Sequence, residues 1–556
     1  MSRRISIAAI GTALLLTACG TGSGDPQSGA NPATDGADAS GGILIYATGD
    51  AEPTCLDPHV GGNYPQALLS TQYLEPLVGR DAEGAIQPWL AKDWEVAEDG
   101  LTWEFTLQEG IAFTDGTPVD AEAVKANIEH LQDPETASST GYLAVEKIDE
   151  VEPLDETHVR FRLSEPDSSL LESLSQQWTA IQSPAGIERG MEENCAEPIG
   201  TGPFVVVDWV PQQHVLLERN EDYATPGPEA EHEGPALLEA IEWRFIPDPA
   251  TRSAALTSGE VHMIDNPEPD AIATAGEDVT HIDAPRPGSV NRIELNAGQP
   301  PFDDVRVREA FIRAVDIGPG IDTLYQGVAE RSYSPLSSVE PFAYSDDSLF
   351  TPDPDKASDL LDEAGWSETD ADGYRVKDGD RLAVRFPVST NQSVAAERAL
   401  FEQIQAQAKD AGFEVTLTPL DLSAWYEALE APAEDADDSA EYTYEAVSAP
   451  YTKVGPDVLR ILYHSDGIEP APSGYFANHA QVDDPEVDEL LEQAARDTDV
   501  DARRQTYEDV QRQILQGYYI LPLYDQQNHF LTQAVTGVDI LGTVATPTFI
   551  NASLAE

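Results

Sequence analysis

The chain has 556 residues and sets 101 Asp and Glu against 31 Lys and Arg, a formal net charge of -70. That balance excludes nucleic-acid binding and docking on anionic lipid through a basic patch, because both need clustered cations. With 41% hydrophobic and 8% aromatic residues the chain still folds, with material for about two to four domains. Only seven of the cations are Lys. An acidic, Lys-poor surface suits high salt, where self-repulsion is screened, and a lineage-wide compositional bias would give the same balance.

The chain opens with Met1-Ser2-Arg3-Arg4 and an apolar run from Ile5 to Leu16. The run is too short to span a bilayer and reads as the core of a cleaved export signal, residues 1–18. Leu16-Thr17-Ala18-Cys19 resembles the bacterial lipobox, which makes Cys19 the expected lipidated N-terminus. Residues 19–41, rich in Gly, Ser, Asp and Pro, read as a flexible tether. Export places Cys55 and Cys195 where disulfides persist, and two cysteines pair in one way; two buried thiols are the alternative.

Further along, Ile43–Tyr46 reads as a buried strand. Trp94–Val96 and Thr102–Leu107 alternate apolar and polar residues around Glu98-Asp99-Gly100, a hairpin. Asp120 caps a helix that runs to Leu131. Val159–Leu163 alternates again, and Phe204–Val207 and Val215–Glu218 read as paired strands. Helical spacing returns at 305–316, 356–364, 394–411, 486–496 and 502–516. Glu430–Glu441 is an acidic low-complexity insertion.

Catalytic signatures are missing: there is no Gly-x-Ser-x-Gly, Walker A, His-Glu-x-x-His or Cys-x-x-Cys. The ten histidines show no i, i+4 pair for a helix-borne metal. Asp370-Ala371-Asp372-Gly373 starts like a calcium loop, but Arg381 stands where the twelfth-position acid is required, so it reads as an acidic hairpin turn.

Four ordered blocks carry a resemblance. The first is Pro88-Trp89-Leu90-Ala91-Lys92-Asp93-Trp94, Asp99-Gly100-Leu101-Thr102-Trp103-Glu104-Phe105, Gly110, Phe113 and Asp115-Gly116-Thr117-Pro118. The second is Gly200-Thr201-Gly202-Pro203-Phe204 with Leu217-Glu218-Arg219-Asn220 and Tyr223. The third is Asp303-Asp304-Val305-Arg306-Val307-Arg308-Glu309-Ala310-Phe311. The fourth is Leu360–Trp366 with the Asp372-Gly373 turn. Together they resemble the family 5 extracellular solute-binding proteins of ABC importers, which include oligopeptide, dipeptide and nickel receptors. The blocks themselves read as fold-specifying turns and core fillers, with Trp89, Trp94 and Trp103 buried.

The resemblance implies an α/β, two-lobed periplasmic-binding-protein type II fold with a discontinuous first lobe, an extra α+β subdomain, and the ligand in the cleft between lobes. The expected division is 42–75, 197–285 and 525–556 for lobe I, 76–196 for the subdomain and 286–524 for lobe II. It implies binding without catalysis, no cofactor and no metal, and a monomer that meets a small-molecule or peptide ligand and ABC permease subunits.

It also implies cleft residues. The segment after Leu56-Asp57-Pro58-His59 lines the cleft in relatives, which points to Asn63, Tyr64, Pro65 and Gln66. A second segment corresponds to Ser448, Ala449, Pro450 and Tyr451. Oligopeptide receptors carry an Asp for the peptide ammonium where this chain has Pro450, whereas nickel receptors carry Ala-Pro-Tyr. Trp425, and His464 at a distance similar to that of a nickel-ligating His, complete the candidates; core and helix-end roles are their alternatives. The expected function is a lipid-anchored, exported receptor for short peptides or peptide-like solutes. The rivals are a nickel or metal-chelate receptor of the same family, a secreted hydrolase, and a surface adhesion lipoprotein.

Overall fold

The computed structural model describes residues 41–81, 84–225, 227–390, 393–429, 442–449, 453–468, 470, 476–497 and 499–555. The signal, Cys19, most of the tether, the acidic insertion Glu430–Glu441, Pro450 and Tyr451 lie outside them.

A seven-stranded mixed sheet forms the first layer. Its spatial order is Val279–Pro285, Gln527–Gln533, Met263–Asp265, Ile43–Thr48, Ala240–Phe245, His214–Arg219 and Phe204–Val210. The strand Ile43–Thr48 pairs in parallel on both sides, with Ala240–Phe245 and Met263–Asp265. A strand flanked on both edges needs apolar residues, and Leu44, Tyr46 and Ala47 are wholly buried. Tyr46 stacks on Trp243 with ring centroids 4.0 Å apart.

The subdomain is a four-stranded antiparallel sheet, Ala91–Val96, Thr102–Leu107, His158–Leu163 and Ile148–Pro153 in spatial order, with its own core. Period-two alternation puts Trp103, Phe105 and Leu107 on the helix Ala121–Gln132, whose Asp120 cap accepts from the Ala123 amide at 2.9 Å. Trp94 departs from the expectation of full burial. It packs against this core but stays only partly buried, because Ala91–Val96 is an edge strand.

A three-stranded sheet, Ala446–Val447, Asn291–Leu295 and Ile520–Tyr524, centres the largest core, which the helices Val305–Arg313, Ala395–Asp410, Pro485–Arg496 and Val500–Gln516 cover. Asp304, Asp353, Asp484 and Asp499 cap four helices here through side-chain bonds to first-turn amides, so part of the acid satisfies helix N-termini. The Asp370–Gly373 segment is a hairpin turn, as read; Arg381 clasps it with 2.6 Å to Asp370 and 2.5 Å to Asp372.

The chain passes between the seven-stranded and three-stranded sheets twice: from Pro285 to Asn291, and from Tyr524 to Gln527. The two crossings are bonded to each other. The Arg286 amide donates to the Gln526 carbonyl, and the Gln526 side chain donates to the Ser289 carbonyl, each at 2.9 Å.

The candidate ligand cleft

Four strands of the large sheet run in the same sense: Ile43–Thr48, Ala240–Phe245, Met263–Asp265 and Val279–Pro285. Their carboxyl ends therefore share one edge, the usual place for a ligand in an open α/β sheet. Both crossings leave from that edge.

Polar groups gather there. Asp265 ends its strand and is saturated: Tyr46 Oη (2.9 Å), Thr48 Oγ1 (2.5 Å) and the Gly49 amide (2.6 Å) all donate to it. Asp50 follows the strand Ile43–Thr48, its amide donating to Thr48 Oγ1 at 3.1 Å. Its Oδ1 accepts from Asn266 Nδ2 at 2.9 Å, and its Oδ2 is buried without a partner. Burial, and then the charge of Asp265, push the Asp50 carboxyl up to about 7, against the opposing pull of Arg286 and Arg252. Two carboxylates in one dry corner cannot both ionise cheaply.

Tyr64 faces this group from the first helix, Tyr64–Ser70. The Arg286 guanidinium sits 4.4 Å from the centre of its ring, and its hydroxyl accepts from Asn528 Nδ2 at 2.7 Å. Burial raises the Tyr64 phenol, and Asp50 and Asp265 add to the rise. Tyr64, Asp50, Arg286 and Asn528 thus bring a ring, a carboxyl, a guanidinium and an amide together where the chain crosses between sheets.

The other sequence candidates divide. Asn63 caps the helix, accepting from the Gln66 amide at 3.2 Å, and Pro65 is half-buried in its first turn. Gln66 points inward instead. It is 1% exposed and spends its side chain on the Asn63 amide and on the Cys55 and Val60 carbonyls, closing its own loop. Trp425 is 2% exposed and packs with Leu429, Tyr444, Val447 and Ala449, the buried face of an amphipathic helix. His464 caps the helix Val458–Tyr463 and is 5% exposed, its Nδ1 accepting from the Asp466 amide at 3.1 Å. Ser448 and Ala449 are buried just beyond the edge strand Ala446–Val447, and Ala449 joins the Trp425 cluster. Asp50, Arg286 and Asn528 escaped the sequence reading, since only strand topology brings them together.

A hollow of about 520 Å³ lies elsewhere, within residues 314–412, lined by Ala314, Asp316, Ser358, Arg375, Gln407 and Asp410. It touches neither crossing.

The family model for bacterial extracellular solute-binding proteins, family 5, matches residues 85–461. The chain belongs to this family. The Escherichia coli K12 glutathione-binding protein GsiB is 28% identical over 479 residues, 84% of this chain and 86% of its own. The nickel-binding periplasmic protein of the same strain is 28% identical over 402 residues, 70% of this chain and 75% of its own. Among solved structures, the Helicobacter pylori periplasmic binding protein DppA in complex with the peptide STSA superposes with a TM-score of 0.77 at 21% identity, covering 93% of this chain and 99% of that one. NikA from Brucella suis in complex with Fe(III)-EDTA gives 0.76 at 26%, covering 92% and 100%. These likenesses show the two-lobed type II periplasmic-binding-protein fold.

The disulfide Cys55–Cys195 is formed, with Cα atoms 4.4 Å apart. Among the described residues no helix is long and apolar enough to cross a membrane.

Proposed function

We propose that this family 5 protein is an exported receptor, anchored through lipid on Cys19, that binds a short peptide or peptide-like solute in the cleft and delivers it to an ABC permease. It acts as a monomer and without catalysis. Lobe I is residues 42–75, 197–285 and 525–556, the extra subdomain 76–196 and lobe II 286–524. The cleft lies at the shared carboxyl edge of the large sheet, and two short crossings allow hinge closure.

The observation that carries the ligand class is the pairing of opposite charges at that edge. Asp50 holds a buried, unpartnered oxygen suited to an ammonium group, and Arg286 beside Tyr64 suits a carboxylate. An oligopeptide receptor's ammonium-binding Asp is replaced here by Pro450, and Asp50 supplies that charge from the other lobe. The ligand set is Asp50, Tyr64 and Arg286, and the family resemblance adds Asn63, Pro65, Ser448, Ala449, Pro450 and Tyr451 to it. Gln66, Trp425 and His464 leave it because their side chains are used in their own loop, core and helix end.

Native mass spectrometry of gently purified protein tests this reading. A co-purified peptide-like mass supports it; a metal complex would favour the chelate reading that Ala449-Pro450-Tyr451 and the nickel-binding relative suggest.

A further inference from the structure

A second polar cluster lies at Leu56-Asp57-Pro58-His59, the loop tied to Cys195 by the disulfide. Asp57 is wholly buried. Its Oδ1 accepts from the His59 amide (2.9 Å) and Gln182 Nε2 (2.6 Å), and its Oδ2 from Asn194 Nδ2 (2.9 Å). His130, from the last turn of the helix Ala121–Gln132, brings Nε2 to 3.1 Å from the same Oδ2.

Proton accounting leaves a gap. His59 Nε2 lies 2.8 Å from the Ala180 carbonyl, which only accepts, so the proton is on Nε2 and the lone pair on Nδ1. That Nδ1 is buried with no partner. Thr136 Oγ1 has one proton and lies 2.6 Å from the His130 carbonyl, which takes it. His130 Nδ1, 3.0 Å from the same hydroxyl, is then the donor to it. A neutral His130 so oriented turns a lone pair on Nε2 toward a carboxylate oxygen. A cation must stand between them. A proton would satisfy that contact alone and leave His59 Nδ1 orphaned; a metal ion would satisfy both.

We propose that Asp57, His59 and His130 form a binding site for a single divalent transition-metal ion of the zinc class. One ligand atom from each lies within 4.8 Å of the others; ligands on one tetrahedral ion stand about 3.4 Å apart, so the widest separation closes by up to about 1.5 Å when the ion binds, a side-chain movement of the two rings. Two imidazoles and one carboxylate suit Zn(II), Co(II) or Ni(II) and disfavour the oxygen-seeking Ca(II) and Mg(II). The outer contacts fit as well: Ala180 and Thr136 hold the far nitrogen of each ring, and Gln182 and Asn194 orient the carboxylate, as metal-site supports do. The ion would tie the Asp57 loop to the subdomain helix beside the disulfide. The site is distinct from the ligand cleft and does not depend on the proposed function.

The test uses Co(II) as the probe. The full chain is stripped with chelator and given equimolar Co(II) in high salt with excess Mg(II), which occupies the acidic surface. The expected result is a low-coordinate visible absorption band of one ion per chain, displaced by Zn(II) and untouched by Ca(II). His130→Gln should weaken Zn(II) binding more than about a hundredfold, beyond the loss of an outer-shell partner. An ion held in the cleft would survive that substitution, so an unchanged band in His130→Gln overturns the assignment. So does the absence of the band in a parent chain with native circular dichroism, which would leave His130 and Asp57 as a proton-held pair.

Discussion

Glu340 is the buried carboxylate that joins the crossing to both sides of the molecule, and its removal should be costly. Its Oε1 accepts from the amides of Gly288 (2.7 Å), within the first crossing, and Gly455 (3.0 Å). Its Oε2 pairs with Arg80 Nη2 at 3.3 Å. The side chains are 0% and 4% exposed. Among the described residues, Glu340→Ala leaves the buried guanidinium with the carbonyls of Gly542 (3.3 Å) and Gly84 (3.4 Å), and strands two amides. Breaking a buried pair by removing one partner costs about 3–5 kcal/mol. Glu340→Gln keeps a carbonyl for the two amides and loses only the charge, so it should cost about half as much. The assay is urea unfolding of the parent, Arg80→Ala, Glu340→Ala and the double variant. A coupling energy of ~2 kcal/mol or more is expected, within the range for residues in one ion-pair network. A Glu340→Ala loss below ~1 kcal/mol, with coupling near zero, would refute the claim that this pair locks the crossing.

Replacing Cys55 and Cys195 by Ala frees a loop of sequence separation 140 and should cost on the order of 5 kcal/mol in the chain-entropy model. Thiol labelling of the parent should fail until reductant is added. Asp50, held at about 7 by burial and Asp265, must ionise to meet an ammonium group. Affinity for a cationic-ended solute should rise as pH climbs from 6 to 8, and Asp50→Asn should flatten the profile; a flat parent profile removes Asp50 from the ligand set. Glu75, buried against Thr201 (2.6 Å) and Tyr223 (2.8 Å), is pushed up to about 7 by burial from 4.5. The folded state thus holds its proton more tightly than the unfolded one. The resulting stabilisation, ~3 kcal/mol, is fully present below pH 4.5 and is lost as pH rises through 7. Glu75→Gln should remove that slope in urea titrations, and an unaltered slope would contradict the assignment.

Local physics made much of the fold legible. Period-two alternation located Thr102–Leu107, and Asp120 announced its helix, because each signal rests on near neighbours. The same reasoning could not tell which face of Leu422–Leu429 is covered, so Trp425 stood as a cleft candidate while its ring fills a core. Trp94 packs on the subdomain core as its residue type suggests, and its place on an edge strand, which the sequence does not reveal, leaves it only partly covered. The cleft was the least legible part. Asp50, Arg286 and Asn528 are far apart in the chain and meet only because their strands share an edge. His59 and His130 are likewise joined only by the packing of the subdomain helix on the Asp57 loop.

The most direct test of the central claim is small-angle scattering of the protein, titrated with short peptides and glutathione beside a nickel–histidine complex. The account predicts saturable compaction with a peptide-like solute, weakened in Tyr64→Ala and Asp50→Asn, with the solute recovered unchanged. Saturable binding without compaction, or turnover of the peptide by the protein alone, would contradict it.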